Sequence, residues 1–236
     1  MKQVIGRFAK RIGMVCHRFM EITRTDGFGR AFKLGLGYVG RVLNPDKSED
    51  DFDRAWKVNT SGRTNLWHMS IDSPNGKFGT AYTPSDPAWI GKTLARLSED
   101  FSTFNFIDLG CGKGRVLLVA SNYGFRKVMG VEFAAELVKA ARQNLRASGI
   151  EGAEVIHEDA ANFCFPDGNL LVYLFNPFSA KVLRPVLSHL AGRNGLQKTY
   201  LIYVNPQHAS LVDATAGYRS IATIDDEVSA RIWACP

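Results

Sequence analysis

Phe106-Ile107-Asp108-Leu109-Gly110-Cys111-Gly112-Lys113-Gly114-Arg115 decides the fold of this chain. A short apolar strand runs into three glycines at alternate positions and then into the start of a helix. Glycine has no Cβ, so this turn lets backbone press against a ligand. The helix start adds free N–H groups and the positive end of a helix dipole. In open α/β sheets, ligands bind outside the carboxyl ends of the strands, and the loop lies in that place. The spacing G-x-G-x-G differs from the G-x-G-x-x-G of nicotinamide and flavin binders, which disfavours an oxidoreductase. Asp108 stands two residues before the first glycine. A carboxylate there would repel a diphosphate and welcome an ammonium group.

Around this stretch, strand-like and helix-like segments alternate. Strands are predicted over 104–109, 127–132, 153–157, 170–175 and 199–204. Helices are predicted over 86–99, 115–123, 134–148, 179–193 and 207–214. The first helix opens on Asp86 as N-cap with Pro87 in its first turn. Strand alternating with helix implies parallel βαβ units, with a sheet covered by helices on both faces. The closing segments 218–223 and 228–234 flank Asp225-Asp226-Glu227 and read as an antiparallel hairpin at one edge of the sheet. The fold class expected is therefore α/β, a doubly wound, Rossmann-like and mostly parallel sheet.

Further landmarks lie at the predicted strand ends. Glu132 closes the second strand, 24 residues after Asp108, where a carboxylate can accept both hydroxyls of a ribose. Glu158-Asp159-Ala160 follows the third strand. Tyr173-Leu174-Phe175-Asn176-Pro177-Phe178 spans the end of the fourth.

Taken in order, these motifs resemble class I methyltransferases dependent on S-adenosylmethionine (SAM), over roughly residues 78–236. The resemblance implies SAM as cofactor and S-adenosylhomocysteine as product. It implies a cofactor site formed by Asp108, Gly110, Cys111, Gly112, Gly114, Glu132, Asp159, Ala160 and Asn176. It assigns the adenine amino group to Asp159, with Glu158 as the alternative. Asn176-Pro177-Phe178 looks like the Asn-Pro-Pro-Tyr/Phe signature of enzymes acting on planar or amide nitrogens, with one proline missing. On that likeness Asn176 Oδ1 and the Pro177 carbonyl would accept hydrogen bonds from an acceptor NH₂, and Phe178 would stack on it. An Asx turn before proline is the competing reading of Asn176. Thr60-Ser61-Gly62, Ile71-Asp72-Ser73-Pro74-Asn75 and Tyr82-Thr83-Pro84-Ser85, with the Asn-Pro-Phe motif, resemble a bacterial branch of these enzymes. That branch is distantly similar to Dot1-like protein-lysine methyltransferases, and the likeness makes Tyr82 and Thr83 part of the cofactor site.

The chain has 236 residues and a net charge of +6. Residues 1–47 hold ten Lys/Arg against three Asp/Glu, whereas 48–236 hold nineteen against twenty, so the basic character belongs to the head. Val4, Ile5, Phe8, Ile12, Val15, Phe19 and Ile22 recur at helical spacing in that head. It can meet an anionic membrane surface, meet nucleic-acid phosphates, or pack as a helical cap. Three regions result: the basic head 1–47, a lid or linker 48–85 over the cofactor site, and the methyltransferase domain 86–236. No run of apolar residues is long enough to span a bilayer, and the start lacks the apolar core of a signal peptide. Cys16, Cys111, Cys164 and Cys235 form no C-x-x-C pair and no metal cluster, so no metal is expected. A cytoplasmic address is expected, with peripheral membrane contact through the head as an option.

The reading that emerges is methyl transfer to a nitrogen acceptor of unknown identity, a protein being favoured over RNA or a small molecule. A SAM-binding interaction module without catalysis is the alternative from another class.

Overall fold

The structure is a computed structural model and describes residues 50–66, 69–193, 197–226 and 228–235. The chain divides into two units, Met1–Ser48 and Glu49–Pro236. The basic head and its predicted helix fall in the first, outside the described residues. The sheet and the site belong to the second.

Among the described residues, seven strands form one sheet: β1 (Phe104–Leu109), β2 (Lys127–Glu132), β3 (Ala153–His157), β4 (Asn169–Phe175), β5 (Thr199–Val204), β6 (Arg219–Ile224) and β7 (Ala230–Ala234). Their order is β3-β2-β1-β4-β5-β7-β6. The first four pairings are parallel, and β7 pairs antiparallel with both β5 and β6. The expected mostly parallel sheet with an antiparallel edge is what forms. The last strand inserts beside β5 and leaves β6 at the margin. The order reverses between β1 and β4, which makes their carboxyl ends the switch point.

Helices cover both faces, and the strand alternation says which residues meet them. Phe104, Phe106, Leu171, Tyr173, Ile202 and Val204 face one side. There they pack on α2 (Ala88–Leu94), α3 (Arg115–Ala120) and α4 (Ala135–Ala147). Ile107, Leu109, Val172, Leu174, Leu201 and Tyr203 face the other side, against α5 (Ala180–Ala191) and α6 (Ala209–Asp213). Every residue of β1 is buried, as a strand covered on both faces requires. A short helix α1 (Asp51–Trp56) precedes all of these, capped by the Asp50 carboxylate on the Asp53 N–H.

Two boundaries differ from expectation. The helix predicted over 86–99 is only Ala88–Leu94, with Pro87 at the cap and Asp86 accepting from the Ala88 N–H. Its end tightens into i→i−3 bonds from Arg96 to Thr93 and from Leu97 to Leu94, which tuck Leu97 into the core. The link between the last two strands runs over 225–229 rather than three residues, and Ser229 within it accepts from the Asn205 N–H in register with the β5–β7 pairing.

Candidate functional site

The cleft lies at the carboxyl ends of β1, β2 and β4, and segments before α2 close it from above. Its wall includes Asp108, Gly110, Cys111, Gly112, Glu132, Asp159, Ala160, Tyr82, Thr83, Pro177 and Phe178. The structure thus brings eleven of the thirteen residues singled out in the sequence to one space. Gly114 sits behind it as the cap of α3, with φ +84° and the Ala141 side chain against it. Asn176 lies just past the wall at the end of β4.

Backbone conformation and contact both tighten the glycine loop. Gly110 has φ +79°, and a Cβ there would stand 2.5 Å from the Pro177 side chain. Gly112 has φ +55°, and a Cβ there would stand 2.3 Å from the Tyr82 ring. Any larger residue is therefore excluded twice over at both positions. Cys111 is buried, and burial, with Asp108 and Glu132 nearby, pushes its thiol well above its ordinary value. A nucleophilic role for it has no support here.

Two carboxylates define the floor. Asp108 is 3% exposed, and its side chain accepts no hydrogen bond from the described residues. Burial, reinforced by the charge of Glu132, pushes its pKa well up. Glu132 is also buried and raised by desolvation. It accepts from the Gly112 N–H at 3.0 Å and the Ala134 N–H at 2.9 Å, so it ties the loop to the end of β2. A buried carboxylate without a partner, facing a cleft beside a second one, is a demand for a cation.

The adenine-side candidate is already engaged. Asp159 Oδ2 accepts from the Ser73 hydroxyl and from Asn75 Nδ2 at 2.9 Å, and Oδ1 accepts from the Ala161 N–H. Ser70 bonds Glu136 at the start of α4 through both its N–H and its hydroxyl. The segment 70–75 is therefore pinned across this end of the cleft.

At the acceptor end, Asn176 takes φ +42°, and its Oδ1 accepts from the Tyr203 hydroxyl at 2.9 Å. The Pro177 carbonyl accepts from both the N–H and the hydroxyl of Thr80, at 2.8 and 3.0 Å. Phe178 is 7% exposed and packs in the core beside Val182. The two oxygens expected to greet an acceptor NH₂ thus already have protein donors. The Phe178 ring is largely spent on packing. What Asn176 keeps is its Nδ2 group and one lone pair of Oδ1.

A polar cluster beside the loop escaped the sequence reading. Arg115, 6% exposed, donates Nε to Thr60 Oγ1 at 2.7 Å and Nη2 to Asp50 and Asp53. Asp53 is fully buried and accepts from the Thr60 and Ser61 backbone and the Thr60 hydroxyl. Burial alone would raise its carboxyl, but these hydrogen bonds outweigh it and hold the pKa below the ordinary value. Lys113 donates to the Ser61 carbonyl, the Tyr82 hydroxyl donates to the Thr60 carbonyl, and Asn144 ties Asn59 to α4. Residues 50–62 thereby form a strap against the glycine loop. The only forewarning was the motif Thr60-Ser61-Gly62.

The groups present fit SAM: an orphaned carboxylate for a cation, a glycine loop without side chains to block close approach, and an acid at the tip of β2. Among the described residues no cluster of His, Cys, Asp and Glu suits a metal, and no helix is long and apolar enough to cross a membrane.

Residues 106–191 match a family described as "Methyltransferase domain". The ribosomal protein L11 methyltransferase of Alkaliphilus oremlandii is 26% identical over 137 residues, covering 51% of this chain and 42% of that protein. A protein-lysine N-methyltransferase of Saccharolobus islandicus is 31% identical over 74 residues, covering 30% of this chain and 44% of that protein. The matches therefore span less than half the length of either relative. In fold, a putative methyltransferase of Escherichia coli superposes with a TM-score of 0.53 at 17% identity, over 71% of this chain and 90% of that one. The likeness to a methyltransferase domain thus lies over residues 106–191, which hold the glycine loop, Glu132 and the end of β4.

Proposed function

We propose that this chain transfers the methyl group of SAM to a nitrogen acceptor on a protein. The observation that carries the reading is the unpartnered, buried Asp108 carboxylate over the glycine loop, inside the stretch that matches a methyltransferase domain. The protein acceptor is supported by the relatives, whose names both specify methylation of a protein.

SAM, when bound, supplies a methyl group on a sulfonium that is already a good leaving group, so the chain's own work is mostly positioning. Asp108 and Glu132 give the cationic end of the site its negative field. The positions of Gly110 and Gly112 let the loop approach closely. Tyr203 holds Asn176 in one orientation, with Nδ2 and one Oδ1 lone pair left for the acceptor. Residues 48–85 act as a lid through Thr60, Ser73, Asn75, Thr80, Tyr82 and Thr83, and residues 86–236 form the catalytic domain. Water is excluded from the transfer by the same segments. For the basic head 1–47 the three expected roles stand, a helical cap, contact with an anionic membrane surface or contact with a nucleic acid, and the address we propose is the cytoplasm.

The test is incubation of the full chain with tritiated-methyl SAM and cell lysate, followed by fractionation. Label that protease removes, and that survives nuclease, supports the proposal. Label confined to RNA or to small molecules replaces the acceptor. SAM binding with no label in any fraction supports the non-catalytic interaction module instead.

A further inference from the structure

Two ammonium groups converge on one aromatic ring beside the cleft. Lys77 Nζ stands 5.1 Å and Lys181 Nζ 4.6 Å from the centre of the Phe78 ring. The two charges are therefore within about 10 Å of each other, roughly one Debye length at physiological ionic strength, so their fields add. Both side chains are exposed, and neither has a carboxylate partner among the described residues. Other surface lysines do have one: Lys92 pairs with Asp226, Lys127 with Glu154 and Lys198 with Glu99. The ring holds both ammoniums in place although like charges repel. The start of α5 adds to the positive field there, since its N-cap Ser179 makes no side-chain cap and leaves the first N–H groups of the helix uncapped.

The pair is fixed to the acceptor end of the cleft. The Ser179 N–H donates to the Phe78 carbonyl, Gly79 bridges to Phe178, and the Thr80 N–H donates to the Pro177 carbonyl. Gly79, Thr80, Pro177, Phe178 and Val182 all line the cleft, so each lysine stands within two residues of its wall.

We propose that this edge receives an acidic segment of the acceptor protein, with an Asp or Glu carboxylate between Lys77 and Lys181 while a neighbouring nitrogen enters the cleft. This rests on the protein-acceptor reading and adds to it the chemistry of the residues beside the methylated one. Two uncompensated cations at a cleft edge steer an anionic partner and set its register more than they add affinity. A nucleic-acid backbone fits the edge less well. It needs cations at intervals along a track, whereas Glu158 and Asp159 line the same cleft and would repel the next phosphates. A single carboxylate needs only the one place that Phe78 makes.

The test compares the full chain with Lys77→Glu/Lys181→Glu and with the neutral Lys77→Gln/Lys181→Gln. Each is given tritiated-methyl SAM and nuclease-treated cell lysate at low salt, and its affinity for S-adenosylhomocysteine is measured by calorimetry. Charge reversal should lower the rate of protein labelling at least about fivefold, the scale of two lost rim charge pairs, and the neutral variant should fall between. S-Adenosylhomocysteine affinity should stay within about twofold in both, because neither lysine lines the cofactor wall. Labelling by the unaltered chain should weaken as salt rises, and that dependence should flatten in the reversed variant. Lys139→Glu/Arg146→Glu on α4, which packs on the other face of the sheet, makes the same change in net charge and should leave labelling within about twofold. Labelling that is unchanged or raised by reversal at Lys77 and Lys181, or lowered equally by the α4 control, overturns the proposal. A loss of S-adenosylhomocysteine affinity in both lysine variants also overturns it, since the lysines would then serve the cofactor site. Label that the unaltered chain places only on RNA or small molecules overturns the protein-acceptor reading itself, which is a different result from either.

Discussion

Replacing Asp108 by Asn should stabilise the cofactor-free protein while removing much of its affinity for the cofactor. The carboxylate is 3% exposed, accepts no hydrogen bond from the described residues, and faces the charge of Glu132. A buried acceptor left unsatisfied costs about 1–3 kcal/mol, and more when it is charged. Asn keeps the shape and removes the charge, so a gain of about 1–3 kcal/mol is expected at neutral pH. For a domain of this size that is a rise in Tm of about 2–10 °C. The pH dependence comes from the direction of the shift. The folded-state pKa of Asp108 lies above its unfolded value, so the native state holds this proton more tightly. Below the ordinary carboxylate value near 4 both states are protonated, and the group does not affect stability. As pH rises from there through the raised folded pKa, the unfolded state gains from ionisation first. Stability therefore falls across that window. The Asn variant lacks this component. Differential scanning calorimetry of both proteins from pH 4 to pH 8, without cofactor, reads the gap directly. A gap that widens with pH is expected. A variant less stable than the parent at every pH, or one that binds S-adenosylhomocysteine as tightly, would refute the assignment of Asp108 as an unpaired anion waiting for a cation.

Gly112→Ala forces a Cβ into the Tyr82 ring and a positive φ onto an L residue. The backbone alone costs about 1–2 kcal/mol, and S-adenosylhomocysteine affinity should fall with it. Adding Tyr82→Ala should relieve the contact part of the thermal loss but not the backbone part. Asp53→Ala leaves Arg115 buried without its partner and frees the strap. It should cost about 3–5 kcal/mol, seen as a lower midpoint in urea unfolding. Asn176→Ala should lower methyl transfer at least about tenfold, with S-adenosylhomocysteine affinity nearly unchanged, because the group lies past the cofactor wall. Loss of binding with normal turnover would remove Asn176 from the acceptor side.

The fold was legible because its signals are local. Apolar runs in β1, β2, β4 and β5, glycines at the ends of helices, and a helix after each of β1, β2, β4 and β5 all act within a few residues of chain. The expected strand boundaries hold to within a residue or two from β1 to β5 for that reason. The insertion of β7 between β5 and β6 was not legible, since either edge order satisfies the same hairpin pattern. That these acids and glycines would line one cleft was legible for a related reason: they sit at strand ends fixed by the sheet. What could not be read were pairings between polar side chains far apart in sequence. Arg115 with Asp53, Asp159 with Ser73 and Asn75, and Asn176 with Tyr203 are separated by 62, 86, 84 and 27 residues. Serine, asparagine and aspartate in 50–75 look like loop residues in the sequence, and only the fold shows that they pin a strap. The acceptor end suffered most, because the Asn-Pro motif names the residues without showing that Tyr203 and Thr80 already bond them.

A cofactor site built on two buried carboxylates is tested by titrating the intact chain with S-adenosylhomocysteine in a calorimeter, alongside Asp108→Ala and Glu132→Ala. Saturable one-to-one binding, weakened at least about tenfold by each substitution, is the expected result. No heat from the intact chain, with no shift in its melting temperature at saturating ligand, would contradict it.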